Sequence, residues 1–215
     1  VGSPVYAHTI PKILFKFLDT LPEPDSIFSK YTIPFVSYGN VSSGTALYNL
    51  ALKLKEKMRT SIMGLKINTS HSLCQSLTEN QDNLNNFQKP ITLVQDLINK
   101  LKNTNIQQCH DITDYLLYQK NYKKPVEPKF PDIEISHNRC KTCKKCISVC
   151  PVNRLNAINN KIVFQNTNCI HCGECFFNCK FNAIEWDITS YNSFLQKVID
   201  SKEPLAETKP YNAIY

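Results

Sequence analysis

Eight of the ten cysteines stand in two runs of identical spacing. The first is Cys140-x2-Cys143-x2-Cys146-x3-Cys150, followed by Pro151. The second is Cys169-x2-Cys172-x2-Cys175-x3-Cys179, each member 29 residues after its counterpart. Thiolates are soft ligands that select iron–sulfur or zinc over hard cations. Structural zinc sites use separated C-x2-C pairs, often mixed with histidine, so a third cysteine three residues on, repeated in register, suits zinc poorly. Three thiolates at intervals of three can wrap a tight loop around three irons of one cubane, while a fourth further on begins a turn that points away. Disulfides are disfavoured, because no secretory signal is visible and the pattern matches a metal framework.

The two runs resemble the ligand pattern of bacterial-type ferredoxins with two [4Fe–4S] clusters, in which the fourth cysteine of each run serves the other cluster. The resemblance implies that Cys140, Cys143, Cys146 and Cys179 hold one cluster and Cys169, Cys172, Cys175 and Cys150 the other. One departure is Lys180, which stands where Pro151 follows the first run, so the turn after Cys179 lacks the proline's fixed φ. Ile133-Glu134-Ile135, Asn156-Ala157-Ile158, Ile162-Val163-Phe164 and Asn182-Ala183-Ile184-Glu185-Trp186 read as short strands of a small α+β domain. Such a domain is stapled by its metals. Ile147, Val149, Ile170, Phe176 and Phe177 are the expected apolar sheath.

The formal charge is +7. Eight thiolates and two oxidised cluster cores bring a loaded protein to about +3, since thiols must deprotonate to bind metal. Lys141, Lys144 and Lys145 lie inside the first cysteine loop. They would favour a reduced cluster, and they are either a tuning or docking feature for an acidic redox partner or a solvated loop. Scattered basic residues and the lack of a reading motif argue against nucleic acid. No stretch approaches the roughly 18 apolar residues of a membrane span. The cluster chemistry suggests a reducing cytoplasm, and the abundance of Asn, Lys, Ile and Tyr suits the AT-rich genome of an anaerobe.

Ahead of the cysteine runs, strand and helix signals alternate, which implies a parallel sheet covered on both faces. Ile10, Ile13, Leu14, Phe17 and Leu18 recur at helical spacing after a Thr9 cap. Ile33–Tyr38 reads as a buried strand ending at Gly39. Leu47, Leu50, Ala51, Leu54 and Met58 mark a second helix, and Ile62–Ile67 the next strand. Leu93, Val94, Leu97, Ile98 and Leu101 mark a third helix after Pro90; Ile112, Tyr115 and Leu116 mark a short fourth. Residues 119–131, with three prolines and four lysines, read as a linker. Cys74 and Cys109 read as ordinary thiols.

Gly2-Ser3-Pro4-Val5-Tyr6-Ala7 before Ile10-Pro11, and Phe35-Val36-Ser37-Tyr38-Gly39 before Gly44-Ala46-Leu47, resemble flavodoxin loops. The whole chain resembles the flavodoxin–ferredoxin fusion family of anaerobes. That resemblance implies an incomplete, doubly wound flavodoxin-like domain over 1–118, a linker over 119–131, a ferredoxin domain over 132–187 and a tail over 188–215. It also implies FMN at the carboxyl ends of the strands, held by Pro4, Val5 and Tyr6 of one loop and Ser37, Tyr38, Gly39 and Asn40 of another. Ser70-His71-Ser72 follows the last strand; His71 is either a flavin neighbour or an ordinary hydrogen-bonded histidine. The family's Ser/Thr-rich phosphate loop has no counterpart, so the expectation is a fragment lacking its first strands that binds FMN poorly. After Trp186, Phe194, Leu195, Val198 and Ile199 read as a short covering helix, and the Pro204–Tyr215 tail is expected to be loose.

No nucleophile–base constellation appears, which sets hydrolases aside and leaves no catalytic residue to name. The leading expectation is an electron carrier that couples two [4Fe–4S] clusters to FMN. The alternatives are a flavin-dependent reductase of a small acceptor such as a quinone or nitro compound, a ferredoxin fused to a cofactor-free docking domain, and a zinc module.

Overall fold

The computed structural model describes residues 1–215 apart from 7, 40, 70, 72, 74–87, 122–129, 201–212 and 215. It forms two units, Val1–Pro125 with Ser201–Tyr215, and Val126–Asp200. Among the described residues no helix is long and apolar enough to cross a membrane.

The first unit is built on three short parallel strands in the order β1 (Gly2–Pro4), β3 (Phe35–Tyr38), β5 (Leu65–Asn68). The register pairs Ser3 with Val36 and Val36 with Lys66, so these three share one face. Helices α1 (Lys12–Asp19) and α3 (Ala46–Glu56) supply the core beside Val36, through Leu18, Leu47, Leu50, Ala51 and Leu54. Phe35 on the opposite face stays 40% exposed, so the sheet is not covered evenly on both sides. A four-residue helix α2 (Ile27–Lys30) leads into β2 (Tyr31–Thr32), which pairs in parallel with β4 (Thr60–Ser61).

Several sequence expectations shift in register. Pro11, not Thr9, is the N-cap of α1 and forms no side-chain cap bond. Thr9 instead pairs with Tyr6 in an isolated bridge, and its Oγ1 accepts from Asn49 Nδ2 at 2.8 Å. Ile13 and Phe17 lie on the outer side of α1. Met58 falls beyond the end of α3, at φ 57° and 63% exposed. Strand β5 starts at Leu65, not Ile62. Helix α4 (Gln88–Lys102) buries Leu97 but leaves Val94 and Ile98 exposed.

The expected fourth helix is a turn. Asp111 takes the Ser61 N–H on Oδ2 at 2.9 Å and the Thr113 N–H on Oδ1 at 2.8 Å, which starts one loose turn. It tightens into the 3-10 segment Leu117–Asn121, placing Gln119 Oε1 where the Tyr48 N–H of α3 donates to it at 3.1 Å. Gln119 thus satisfies one of the orphan donors of α3, which has no side-chain cap from Thr45. The linker's central residues 122–129 lie outside the described residues. The C-terminal tail is not devoid of structure: Ala213–Ile214 pairs antiparallel with Leu65–Lys66 and extends the sheet.

In the second unit, β6 (Glu134–Ile135) pairs antiparallel with β9 (Ile184–Glu185), and β7 (Leu155–Ile158) with β8 (Lys161–Phe164). Two one-turn helices, α5 (Lys145–Ser148) and α6 (Glu174–Phe177), start inside the cysteine runs, and α7 (Thr189–Asp200) follows.

Candidate metal centre

The backbone repeats what the sequence repeats. Thr142 and His171 hold φ 52° and 54°, Lys144 and Gly173 φ 62° and 80°, and Asn153 and Asn182 φ 50° and 47°. Each pair occupies equivalent positions of the two runs. The first two pairs fold each run into a tight loop ahead of its helix, so that three thiols converge, and Asn153 and Asn182 turn the chain after the fourth cysteine. The turns after the fourth cysteines also match: Arg154 N–H donates to Cys150 Sγ at 3.2 Å, and Ala183 N–H donates to Cys179 Sγ at 3.2 Å. Lys180 in place of proline therefore leaves that turn unchanged.

The eight cysteines line two cavities that open to solvent. The first is lined by Cys140, Cys143, Cys146 and Cys179, the second by Cys150, Cys169, Cys172 and Cys175. Each quartet takes three members from one run and the fourth from the other. Tetrahedral zinc would draw its sulfurs to about 3.8 Å from one another. Among the described residues no group of three metal-ligating side chains closes on a single ion. An open cavity between four thiols suits a polynuclear group.

Burial sets the electrostatics of the thiols. It pushes Cys175 up to about 12, with Cys172, Cys169, Cys150 and Cys146 adding repulsion. Burial also raises Cys146 and Cys172 above the ordinary thiol value. At Cys179 burial pulls the same way, but the backbone N–H groups of Ala183, Ile184 and Phe181, with Arg139, outweigh it and hold the thiol low. Ionising both quartets without a cation is costly, so the donor set calls for a positively charged metal group.

The sheath differs in part from the sequence expectation. Leu155 and Ile162 form the buried core beside Cys146, with Ile147 and Phe164 packed against it. Ile170 lines the second cavity. Phe177 faces outward, because α6 turns Phe176 toward Trp186 (ring centroids 6.3 Å) and leaves its neighbour exposed. Phe130, half-buried, packs within this unit, stacked on His171 at 4.3 Å and beside Tyr191 at 4.2 Å. Trp186 Nε1 donates to Pro131 O at 3.1 Å.

Arg154 is a residue that cysteine spacing does not disclose. It lines the second cavity, sets its guanidinium 4.3 Å from the Phe164 ring centroid, and carries a buried Nε with no hydrogen-bond partner. A buried donor without an acceptor is costly; a sulfur-rich anionic group in that cavity fits it. Its sequence signal was weak: a lone arginine four residues after Cys150.

The other proposed pocket residues cluster differently. Val5 N–H donates to Ser37 O at 2.8 Å, which sets Pro4–Tyr6 beside Ser37–Gly39 at the carboxyl ends of β1 and β3. Thr69 N–H donates to Tyr38 O at 2.9 Å, and a Cβ on Gly39 would stand 2.8 Å from His71 Cα, so the loop after β5 joins them. Tyr38 does not offer its ring there: it is 2% exposed, with Lys66 Nζ 5.5 Å from the ring centroid. Strand alternation carries Tyr38 to the Val36 face, away from the loop crest. Asn40, Ser70, Ser72 and Cys74 lie outside the described residues.

Residues 132–180 match a 4Fe-4S dicluster domain family. The chain is 32% identical over 138 residues to an uncharacterized ferredoxin of Methanocaldococcus jannaschii, covering 62% of this chain and 88% of that protein. The matched length exceeds the second unit and the C-terminal segment together, so the likeness reaches into the first unit. No solved structure matches. The cysteine cavities, the domain match and this relative together show that the chain belongs to the ferredoxins, with an iron–sulfur domain of the 4Fe-4S dicluster type.

Proposed function

We propose that the chain is an electron carrier with two [4Fe–4S] clusters, one held by Cys140, Cys143, Cys146 and Cys179, the other by Cys150, Cys169, Cys172 and Cys175. The observation that carries this reading is the exchange of the fourth cysteine between two adjacent cavities. When bound, the clusters supply one-electron chemistry. The chain's own residues exclude water through Leu155, Ile162 and the Phe130–Trp186 aromatic group. They direct Arg154 and Ala183 backbone N–H groups at the crossing sulfurs, and they hold Arg139 near Cys179. Its partners are redox proteins, in a reducing compartment such as the cytoplasm. Anaerobic reconstitution should give about eight irons and eight sulfides per chain; zinc without acid-labile sulfide would refute the reading.

A second reading adds FMN to the first unit, as part of a flavodoxin-like domain. It is supported by parallel strands β1, β3 and β5 and by the convergence of their carboxyl-end loops. Pro4, Val5, Tyr6, Ser37 and Gly39 would hold the flavin; the buried Tyr38 ring does not fit the role of a stacking wall. Quenching of FMN fluorescence on titration, lost in Tyr6→Ala, tests it. Unchanged FMN emission at high protein concentration would remove it.

A further inference from the structure

We propose that the rim of the first cavity, around Cys143, is a docking surface for an acidic redox protein; this rests on the two-cluster reading above. Cys143 is exposed, whereas the other seven cysteines of the two runs are partly or fully buried. Lys141, Lys144 and Lys145 are exposed and line the same cavity. Among the described residues none of the three ammonium groups has an ion-pair or hydrogen-bond partner.

The internal repeat shows that this lysine collar is not demanded by the loop. The equivalent positions of the second run are Ile170, Gly173 and Glu174. Lys144 holds left-handed backbone at φ 62° where its counterpart is the glycine that such backbone favours. Lys145 opens helix α5, whose first turn has no acidic residue, where its counterpart Glu174 sits favourably in the first turn of α6. Two of the three lysines thus occupy positions that local physics disfavours. Such departures from local preference concentrate where a function offsets them. Three unpartnered cations around the most exposed ligand make a positive rim that steers and holds an acidic surface within electron-transfer reach.

The test uses the full, cluster-loaded chain. Dithionite-reduced protein is mixed with the anionic cobalt(III)–EDTA complex or with cationic hexaamminecobalt(III); one electron passes from protein to cobalt(III), giving cobalt(II), and no proton moves. The anionic oxidant should react about tenfold faster at 10 mM than at 200 mM salt, with the opposite trend for the cation. The triple variant Lys141→Glu, Lys144→Glu, Lys145→Glu should lose about tenfold with the anion at low salt. The variant Lys16→Glu, Lys100→Glu, Lys102→Glu, of equal charge change, should alter the rate less than about twofold. An equal loss in both variants, or none in the first, overturns the proposal. Should the glutamate triple fail to fold, the glutamine triple at 141, 144 and 145 must still lose about threefold. As a second readout, polyaspartate should protect these lysines from acetylation more than Lys16, Lys100 and Lys102; protection by duplex DNA alone contradicts it. Iron and sulfide counts separate the two claims, since absent sulfide in the native chain refutes the cluster reading itself.

Discussion

Lys144 and Gly173 occupy the same point of the two cysteine loops, both with left-handed backbone, at φ 62° and 80°. Glycine adopts this conformation freely, whereas a lysine there meets its own Cβ against the backbone at a cost of roughly 1 kcal/mol. Lys144→Gly should therefore stabilise the loaded unit by up to about 1 kcal/mol, and Gly173→Ala should destabilise it by a similar amount. Anaerobic urea titration following cluster absorbance measures both; a loss of stability in Lys144→Gly would show that the lysine contributes contacts of its own.

Arg154 supplies a cation and an unpartnered Nε to the second cavity. Reduction adds negative charge to a cluster, so a nearby donor favours the reduced form. Arg154→Gln should lower one of two midpoint potentials and leave the other within error, with Arg154→Lys intermediate. A redox titration monitored by EPR checks this. Equal shifts of both potentials would mean that the arginine acts only through net charge.

Burial holds His71 at about 4, and its Nδ1 accepts the Leu73 N–H at 3.2 Å, as the neutral ring requires. The folded pKa lies below the unfolded value near 6.5, so unfolded chains bind the extra proton. Stability is full above pH 6.5 and declines as pH falls toward 4, by up to about 3 kcal/mol. In His71→Gln this part of the slope should vanish. NMR should show His71 still neutral at pH 5.5; a midpoint near 6.5 would contradict the burial argument.

Trp186 is the single tryptophan, buried beside Phe176 and bonded to Pro131 O. The second unit's core is small and shared with cysteine side chains, so removing the metal should unfold it. Chelator treatment should raise Trp186 emission and shift it red, while far-ultraviolet helix signal from α3 and α4 persists. Native emission from metal-free protein would show that the unit folds without its clusters.

The cysteine runs made the second unit legible because ligand spacing prescribes loop geometry directly: the repeat in sequence reappears as paired positive-φ residues at 142/171, 144/173 and 153/182. The first unit was legible where periodicity was strong, as at Leu47, Leu50 and Leu54. It misled where tertiary contacts decide. Asp111 and Gln119 convert an apolar-spaced segment into a turn by bonding groups some 50 and 71 residues away. The pairing of Ala213–Ile214 with β5 is equally long-range, and no local pattern announces it. Tyr38 shows the same limit at the proposed flavin loop: its position at a strand end was readable, but the face it occupies follows from sheet register.

Crossed ligation is the central claim, and iron content of two double variants tests it most directly. Cys150→Ala with Cys169→Ala removes two ligands of one cavity and should leave about four irons per chain. Cys150→Ala with Cys140→Ala strikes both cavities and should leave almost none. The reverse ranking would mean that each run holds its own cluster and that the exchange of Cys150 and Cys179 does not occur.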